Sequence, residues 1–118
     1  VVRTKEGLIL GGYSTMSWRS EGVYLTAKDA FVFTLKNPNG IPPTRYFCKP
    51  SQLQNALFNG DSYGPVFTGG VTVLNSQPNR GNIYFPTSYK DTTGFGRATF
   101  TGNKDGNLDA TEVEVFAV

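Results

Sequence analysis

The chain has 118 residues, a formal net charge of +2, and 14% aromatic residues (nine Phe, six Tyr and one Trp). This length corresponds to a single domain, expected to span residues 1–118, with enough aromatic side chains for one hydrophobic core. Fourteen Gly and seven Pro exclude a helical bundle, 17% charged residues argue against disorder, and the scattered basic residues provide no electrostatic footprint for nucleic acid.

The first half of the chain is predicted to form short strands separated by turns. Strands at 1–3 and 8–10 precede a polar segment at 13–20. Residues 30–35, Ala-Phe-Val-Phe-Thr-Leu, carry apolar side chains on both faces, which predicts a central strand buried on both sides. A turn at 36–40, with Pro38 and Asn39-Gly40, leads into an alternating strand at 44–49.

Helical spacing occurs only at 51–58, where Ser51 is a candidate cap and Gly60 a candidate stop. Further strands are predicted at 66–67, 71–74, 83–85, 97–101 and 113–118, with an exposed loop at 75–82 and a turn at 102–107. The pattern predicts an all-β fold, minor helix possible, arranged as a two-sheet antiparallel β-sandwich. The side chains expected to be mostly buried are Phe31, Phe33, Leu35, Phe67, Val73, Val115 and Phe116.

Four blocks of the sequence, in order, resemble the TLDc domain. They are Gly11-Gly12-Tyr13 with Trp18, the strand at 29–35, the Gly-Pro-Val-Phe-Thr-Gly-Gly turn at 64–70, and the closing Thr-Glu-Val-Glu-Val-Phe at 111–116. The resemblance runs from about residue 10 to the end and is closest to the C-terminal portion of the family domain, in its divergent invertebrate and protist branch. It implies a β-sandwich of two antiparallel sheets with peripheral helices.

The resemblance also has functional implications, which differ between branches of the family. The best-known branch acts inside cells in oxidative-stress resistance and binds the proton-pumping vacuolar ATPase. Its acidic Leu-Trp-Leu-Asp segment and the Gly-Arg-Ser stretch after it are replaced here by Val-Thr-Val-Leu-Asn at 71–75. Several domains of the divergent branch are extracellular, so we expect this chain to be secreted.

The residue inventory excludes several kinds of catalytic site. The chain has no His and one Cys, Cys48, which excludes Ser-His-Asp and Cys-His nucleophiles, His-ligated metal sites and four-thiolate zinc sites. Cys48 is expected to be a small buried residue rather than a reactive thiol. No carboxylate pair stands out for glycoside hydrolysis. No apolar run reaches membrane-spanning length. We therefore expect no enzyme activity, and no cofactor unless calcium binds.

Residues 103–112 have the alternating oxygen side chains of a calcium loop. The candidate ligands are Asp105, Asn107 and Asp109, because a hard cation prefers several oxygen ligands. Counted from Asn103, however, the sixth position is Leu108 rather than the Gly of an EF-hand. A turn joining two strands accounts for the same Asp, Asn and Gly content and is the alternative interpretation.

Polar loops and one Trp favour a non-catalytic recognition module, most plausibly a lectin-like one that binds carbohydrate. An aromatic ring suits the C–H face of a sugar, while amides and charges suit its hydroxyls. Core packing of the Trp and simple solvation of the loops are the alternatives. The candidate ligand-binding residues are Trp18, Asp61, Tyr63, Asn79, Arg80 and Asn82.

The expected partner is a glycan or glycoprotein, and weak binding at a single site favours a homo-oligomer. The alternative function is an intracellular TLDc-type partner-binding module, as the best-known branch of the family implies.

Overall fold

A computed structural model describes residues 1–16, 24–58, 63–74 and 80–116, with the backbone alone at 63–65, 73–74 and 80. The described residues form two short 3₁₀ helices, η1 (Pro50–Asn55) and η2 (Gly96–Ala98), and otherwise strands, turns and irregular segments. None of their helices is long and apolar enough to cross a membrane. The strands are β1 Val2–Thr4, β2 Ile9–Tyr13, β3 Tyr24–Leu25, β4 Phe31–Lys36, β5 Thr44–Phe47, β6 Leu57–Phe58, β7 Tyr63–Phe67, β8 Val71–Leu74, β9 Arg80–Ile83 and β10 Asn107–Val113.

The strands form one ten-stranded sheet in the order β3-β6-β7-β8-β9-β10-β1-β2-β4-β5, with antiparallel pairing throughout. Strand β10 joins a first half-sheet (β1, β2, β4, β5) to a second half-sheet (β3, β6, β7, β8, β9). Leu10 and Val32 from the first belong to the same buried cluster as Leu57 and Ile83 from the second. The two halves therefore pack face to face, which confirms the predicted all-β sandwich.

Three buried aromatic rings form one end of the core. Tyr46 of β5 meets Phe85 and Phe100 edge to face, with ring centroids 4.8 and 5.9 Å apart, and the latter two rings lie 5.1 Å from each other. The Tyr46 hydroxyl lies 2.7 Å from Oγ1 of Thr93, so its polar tip is paired. Burying rings of this size stabilises the fold by about 1.5–3 kcal/mol each.

Strand β4 confirms the predicted strand but not its burial on both faces. Val32 and Thr34 are completely buried, whereas Phe31 and Phe33 are half-buried and Leu35 is exposed. Because side chains alternate along a strand, these three lie on the outer face of the first half-sheet. Apolar residues on both faces thus do not distinguish a strand between two layers from a strand with an exposed aromatic face.

The end of the chain also differs from the prediction. Strand β10 ends at Val113, which pairs with Val2, so the strand predicted at 113–118 is wrong. Val115 is 74% exposed and Phe116 65% exposed, contrary to the expected burial. Pairing with β1 and β9 determines which residues of β10 belong to the sheet. The alternation of apolar and polar residues in this segment does not reveal that pairing.

The remaining burial predictions have mixed outcomes. Phe67 is buried as expected. The side chain of Val73 lies outside the described residues, as do residues 117 and 118.

Four further segments have a secondary structure that differs from the prediction, because strand pairing outweighs the preferences of the local sequence. Strand β2 continues through Gly11 and Gly12, and β9 includes residues 80–82, which were predicted as loop. Residues 97–101, predicted as a strand, overlap η2 instead. The helical spacing at 51–58 yields η1, which begins at Pro50 without a side-chain cap, followed by β6.

Candidate functional site

The loop residues predicted to bind carbohydrate are described only in part. Trp18, Asp61 and Asn79 lie outside the described residues. Tyr63 and Arg80 have a described backbone, in β7 and β9, but no described side chain. The remaining candidate is Asn82, which is half-buried on β9 and lines a groove on the outer face of the second half-sheet.

Of the three predicted calcium ligands, Asp105 lies in the turn before β10, and Asn107 and Asp109 lie in β10 itself. The carboxylate Oδ1 of Asp105 accepts a hydrogen bond from the backbone N–H of Asn107 at 3.0 Å, and Gly106 between them has a φ of 77°. Asp105 and Asp109 are exposed. Across the described part of the chain, no three His, Cys, Asp or Glu side chains lie close enough together to hold a metal. The side chain of Asp105 thus supports the turn, and calcium binding stays a prediction.

Cys48 follows β5 and forms an isolated bridge with Tyr89. It is buried, as the sequence predicts, and burial raises the pKa of its thiol above the ordinary value. A protonated, shielded thiol is a poor nucleophile. Cys48 therefore functions as a packing residue.

Asp91 is the described carboxylate with the largest set of hydrogen bonds. Its Oδ1 accepts from the backbone N–H groups of Thr93 and Gly94 at 3.0 and 2.8 Å, and its Oδ2 accepts from the N–H of Gly96 at 2.9 Å. Partial burial opposes ionisation, but these bonds outweigh it and lower the pKa of the carboxyl. Asp91 therefore anchors the segment that leads into η2. Asp91 is not among the residues predicted from the sequence, although Asp-Thr-Thr-Gly at 91–94 is typical of an Asx turn.

The outer face of the first half-sheet carries four aromatic side chains and one arginine, which together we call the aromatic face: Tyr13, Phe31, Phe33, Phe47 and Arg45. Cross-strand pairing aligns Tyr13 of β2, Phe31 of β4 and Phe47 of β5 in one row. Ring centroids are 5.2 Å apart for Tyr13 and Phe31, and 5.4 Å apart for Phe31 and Phe47. The rings thus form a continuous apolar surface across three strands.

Arg45 lies within this surface. Its guanidinium carbon is 5.5 Å from the ring centroid of Phe31 and 5.9 Å from that of Phe47, within the range of cation–π contacts. Among the described residues, no carboxylate forms an ion pair with Arg45. The face therefore combines stacked rings with one cation that has no carboxylate partner among the described residues.

A glycine pair shapes the end of the aromatic face. Gly11 lies beneath the ring of Phe33, where an added Cβ would be 2.6 Å from Cζ, and Gly12 lies against the ring of Phe67 on the inner side. Next to them is an apolar cleft of about 310 Å³, bordered by Val71 and by Phe116 of the exposed tail. A partner lying on the aromatic face could insert an apolar side chain here.

The sequence contains part of the signal for the aromatic face. Phe31, Phe33 and Leu35 recur at every second residue, and Arg45 and Phe47 do so on the following strand. The alternation specifies two distinct faces of each strand, but it does not specify which face meets the core.

Comparison with known proteins identifies the family of the chain. The family model described as the TLDc domain matches residues 1–118. Comparison with curated proteins and with solved structures gives no significant match. The family match spans the whole sheet described above, including the aromatic face and both half-sheets. The chain therefore belongs to the TLDc domain family.

Proposed function

We propose that this chain is a non-catalytic partner-binding module and that the aromatic face is its docking surface. The observation that carries the proposal is the row of rings on the outer face of β2, β4 and β5, half-buried at Tyr13 and Phe31 and exposed at Phe47, with Arg45 beside it. Contiguous exposed apolar patches on soluble domains mark interaction sites more often than scattered apolar residues do. Tyr, Phe and Arg are also enriched at protein–protein interfaces, with Tyr and Arg frequent among the residues that dominate affinity.

The charge of Arg45 indicates the chemistry of the partner. A guanidinium among aromatic rings gains most from a carboxylate that binds it with two parallel hydrogen bonds. Because the described residues supply no such carboxylate, the fitting partner surface is apolar with an Asp or Glu near its centre. Tyr13, Phe31 and Phe47 would pack against the apolar part of that surface.

The family supplies a first partner to test. Membership of the TLDc family is the basis for proposing an intracellular role in oxidative-stress resistance, with the proton-pumping vacuolar ATPase as the partner. This role fits an interaction surface on a sheet face, because it requires a macromolecular partner and no reacting group. The proposed module needs none of the His or Cys chemistry that the chain lacks.

The test compares binding of the chain and three variants to the purified vacuolar ATPase. Arg45→Glu reverses the unpaired charge, and Phe47→Ala removes an exposed ring whose loss leaves the core intact. We expect each to weaken binding about tenfold or more, as truncation of a central interface residue does. Lys104→Glu is the matched control, since Lys104 is an exposed cation in the turn before β10.

Two outcomes would contradict the proposal. One is that the wild-type chain does not bind the pump at all. The other is that Arg45→Glu and Phe47→Ala bind as tightly as Lys104→Glu while their melting temperatures equal that of the wild type. If light scattering shows a dimer that Arg45→Glu dissociates, the face is instead a contact between copies of this chain.

Carbohydrate binding through the predicted loops is not the function proposed for this surface. Only Asn82 among those candidates has a described side chain, and it lies on the opposite half-sheet. The groove lined by Asn82 is a separate surface, and none of its described lining residues belongs to the aromatic face.

A further inference from the structure

A groove of about 440 Å³ crosses the outer face of the second half-sheet. One cross-strand row forms its floor and one wall: Tyr24 pairs with Phe58, Phe58 with Val66, Val66 with Thr72, and Thr72 with Asn82. The groove therefore runs across five neighbouring strands, β3, β6, β7, β8 and β9. Its volume is within the usual range for small-molecule sites.

Two tyrosines border this groove from the two ends of the row of strands. Tyr24 on β3 is 56% exposed, and its ring centroid is 5.0 Å from that of Phe58. Tyr84, directly after β9, is 46% exposed, and its backbone N–H donates to the carbonyl of Gly70 at 2.7 Å. Both tyrosines line the groove, and a tyrosine side chain combines an apolar ring with a hydroxyl.

Among the described residues, the polar side chains between the tyrosines have no hydrogen-bond partner. Thr72 is only 5% exposed, yet its hydroxyl bonds to no other described residue. The Asn82 amide likewise bonds to no described residue, and the buried hydroxyl of Thr68, in the groove wall, has no partner in the structure. Among the described residues, the Thr68 hydroxyl alone is a buried polar group without a partner, which costs stability, whereas the Thr72 hydroxyl and the Asn82 amide reach solvent in the groove and are free to bond to a ligand.

The lining also restricts the charge of the ligand. None of the eight described residues that line the groove is Lys, Arg, Asp or Glu. Phosphates and carboxylates are bound by cationic side chains, and ammonium groups by carboxylates, so a charged ligand is disfavoured here. A purely apolar ligand would leave the Thr72 and Asn82 groups unpaired and is disfavoured for that reason.

We propose that this groove binds a neutral carbohydrate. A sugar ring combines an apolar C–H face, which stacks on Tyr24 or Tyr84, with hydroxyls that both donate and accept hydrogen bonds. The hydroxyl of Thr72 and the amide of Asn82 also donate and accept, so they match this chemistry. The site is separate from the aromatic face, so the proposal does not depend on the proposed partner-binding function.

The experiment titrates the isotopically labelled chain with neutral saccharides, namely lactose, maltotriose and chitotriose, and follows backbone amide shifts by NMR. Sialyllactose serves as the anionic arm. We expect saturable shifts at the amides of the groove with a neutral saccharide at millimolar concentrations, as a single shallow sugar site implies. Saturation with sialyllactose alone, or shifts confined to other parts of the sheet, would overturn the proposal.

Variants identify the side chains responsible. Tyr84→Ala removes one aromatic wall, and Thr72→Val removes the hydroxyl in the groove while keeping the shape of a β-branched residue. Each is expected to weaken neutral-saccharide binding about tenfold. Phe47→Ala is the control, because it removes an exposed ring from the opposite half-sheet.

Equal binding by Tyr84→Ala and Thr72→Val at unchanged melting temperature would overturn the proposal, as would the absence of shifts with every neutral saccharide. Because Phe47→Ala tests the aromatic face and Tyr84→Ala tests the groove, failure of one proposal is distinguishable from failure of the other.

Discussion

The hydroxyl of Tyr89 donates a hydrogen bond of 3.0 Å to the backbone carbonyl of Ala56, and both residues are completely buried. This bond connects the segment after β9 to the end of η1, on the side of the core where the ring of Tyr89 meets that of Phe67. Burial keeps the hydroxyl neutral by raising its pKa far above the ordinary value. Because the buried Tyr89 hydroxyl has this one hydrogen-bond partner, loss of the bond should lower the stability of the fold.

Replacing Tyr89 by Phe removes this hydrogen bond and keeps the ring. We expect the free energy of unfolding to fall by about 1 kcal/mol, because the Ala56 carbonyl still accepts from the N–H of Thr68 and is not left unpaired. Urea denaturation followed by circular dichroism measures the change. Tyr84→Phe is the control, since its hydroxyl is on an exposed side chain. An equal loss in the two variants would contradict the role of this bond.

Substituting Gly12 by Ala is expected to destabilise the chain by about 1–3 kcal/mol. The added methyl group would overlap the ring of Phe67, which is buried in the core cluster and packs edge to face on Tyr89. Gly11→Ala should cost less, because the ring that it meets, Phe33, is half-buried and can turn outward. Thermal unfolding of both variants, beside Thr15→Ala at an exposed position, tests this order. The reverse order would show that the outer ring is the more tightly held.

Replacing Asp91 by Asn should destabilise the chain by roughly 1 kcal/mol at neutral pH, because the backbone N–H groups of Thr93, Gly94 and Gly96 lose a charged acceptor. The pKa of this carboxyl is lower in the folded than in the unfolded state. Its contribution to the free energy of unfolding is therefore complete above the unfolded-state pKa near 3.8, and it is lost as the pH falls through the folded-state pKa.

The measurement is the stability of the wild type and the Asn variant as a function of pH. The difference between them should narrow below about pH 3.8. Asp105→Asn, which changes a carboxylate with one backbone bond, is the control. A difference that is constant down to low pH would mean that the charge of Asp91 does not contribute.

The thiol of Cys48 should react slowly with Ellman's reagent in the native chain and rapidly after unfolding. Burial shields the sulfur and raises the pKa of the thiol, so both access and the thiolate fraction are low. The control is a double variant of the chain, Cys48→Ala with Thr15→Cys, which has its single thiol at an exposed position. Equal native rates in the two proteins would contradict the assigned packing role of Cys48.

Much of the architecture can be predicted from local sequence alone. The strands at 31–36, 44–47 and 71–74 follow from runs of β-branched and aromatic residues, and the turn at 36–40 follows from Pro38 and Gly40, whose φ is 74°. The burial of Cys48 follows from its residue type and apolar neighbours. These features depend on conformational preferences of a few adjacent residues, which the sequence displays directly.

The two candidate surfaces depend instead on contacts between distant segments. Phe31 and Phe33 face outward because Val32 and Thr34 are buried on the inner face, and nothing within β4 distinguishes the two faces. Tyr24, Thr72 and Asn82 line one groove because four successive strand pairings, from β3 through β6, β7 and β8 to β9, bring them into register. Strand register and the choice of inner face are set by packing energies summed over the whole sheet, so only the tertiary structure determines them.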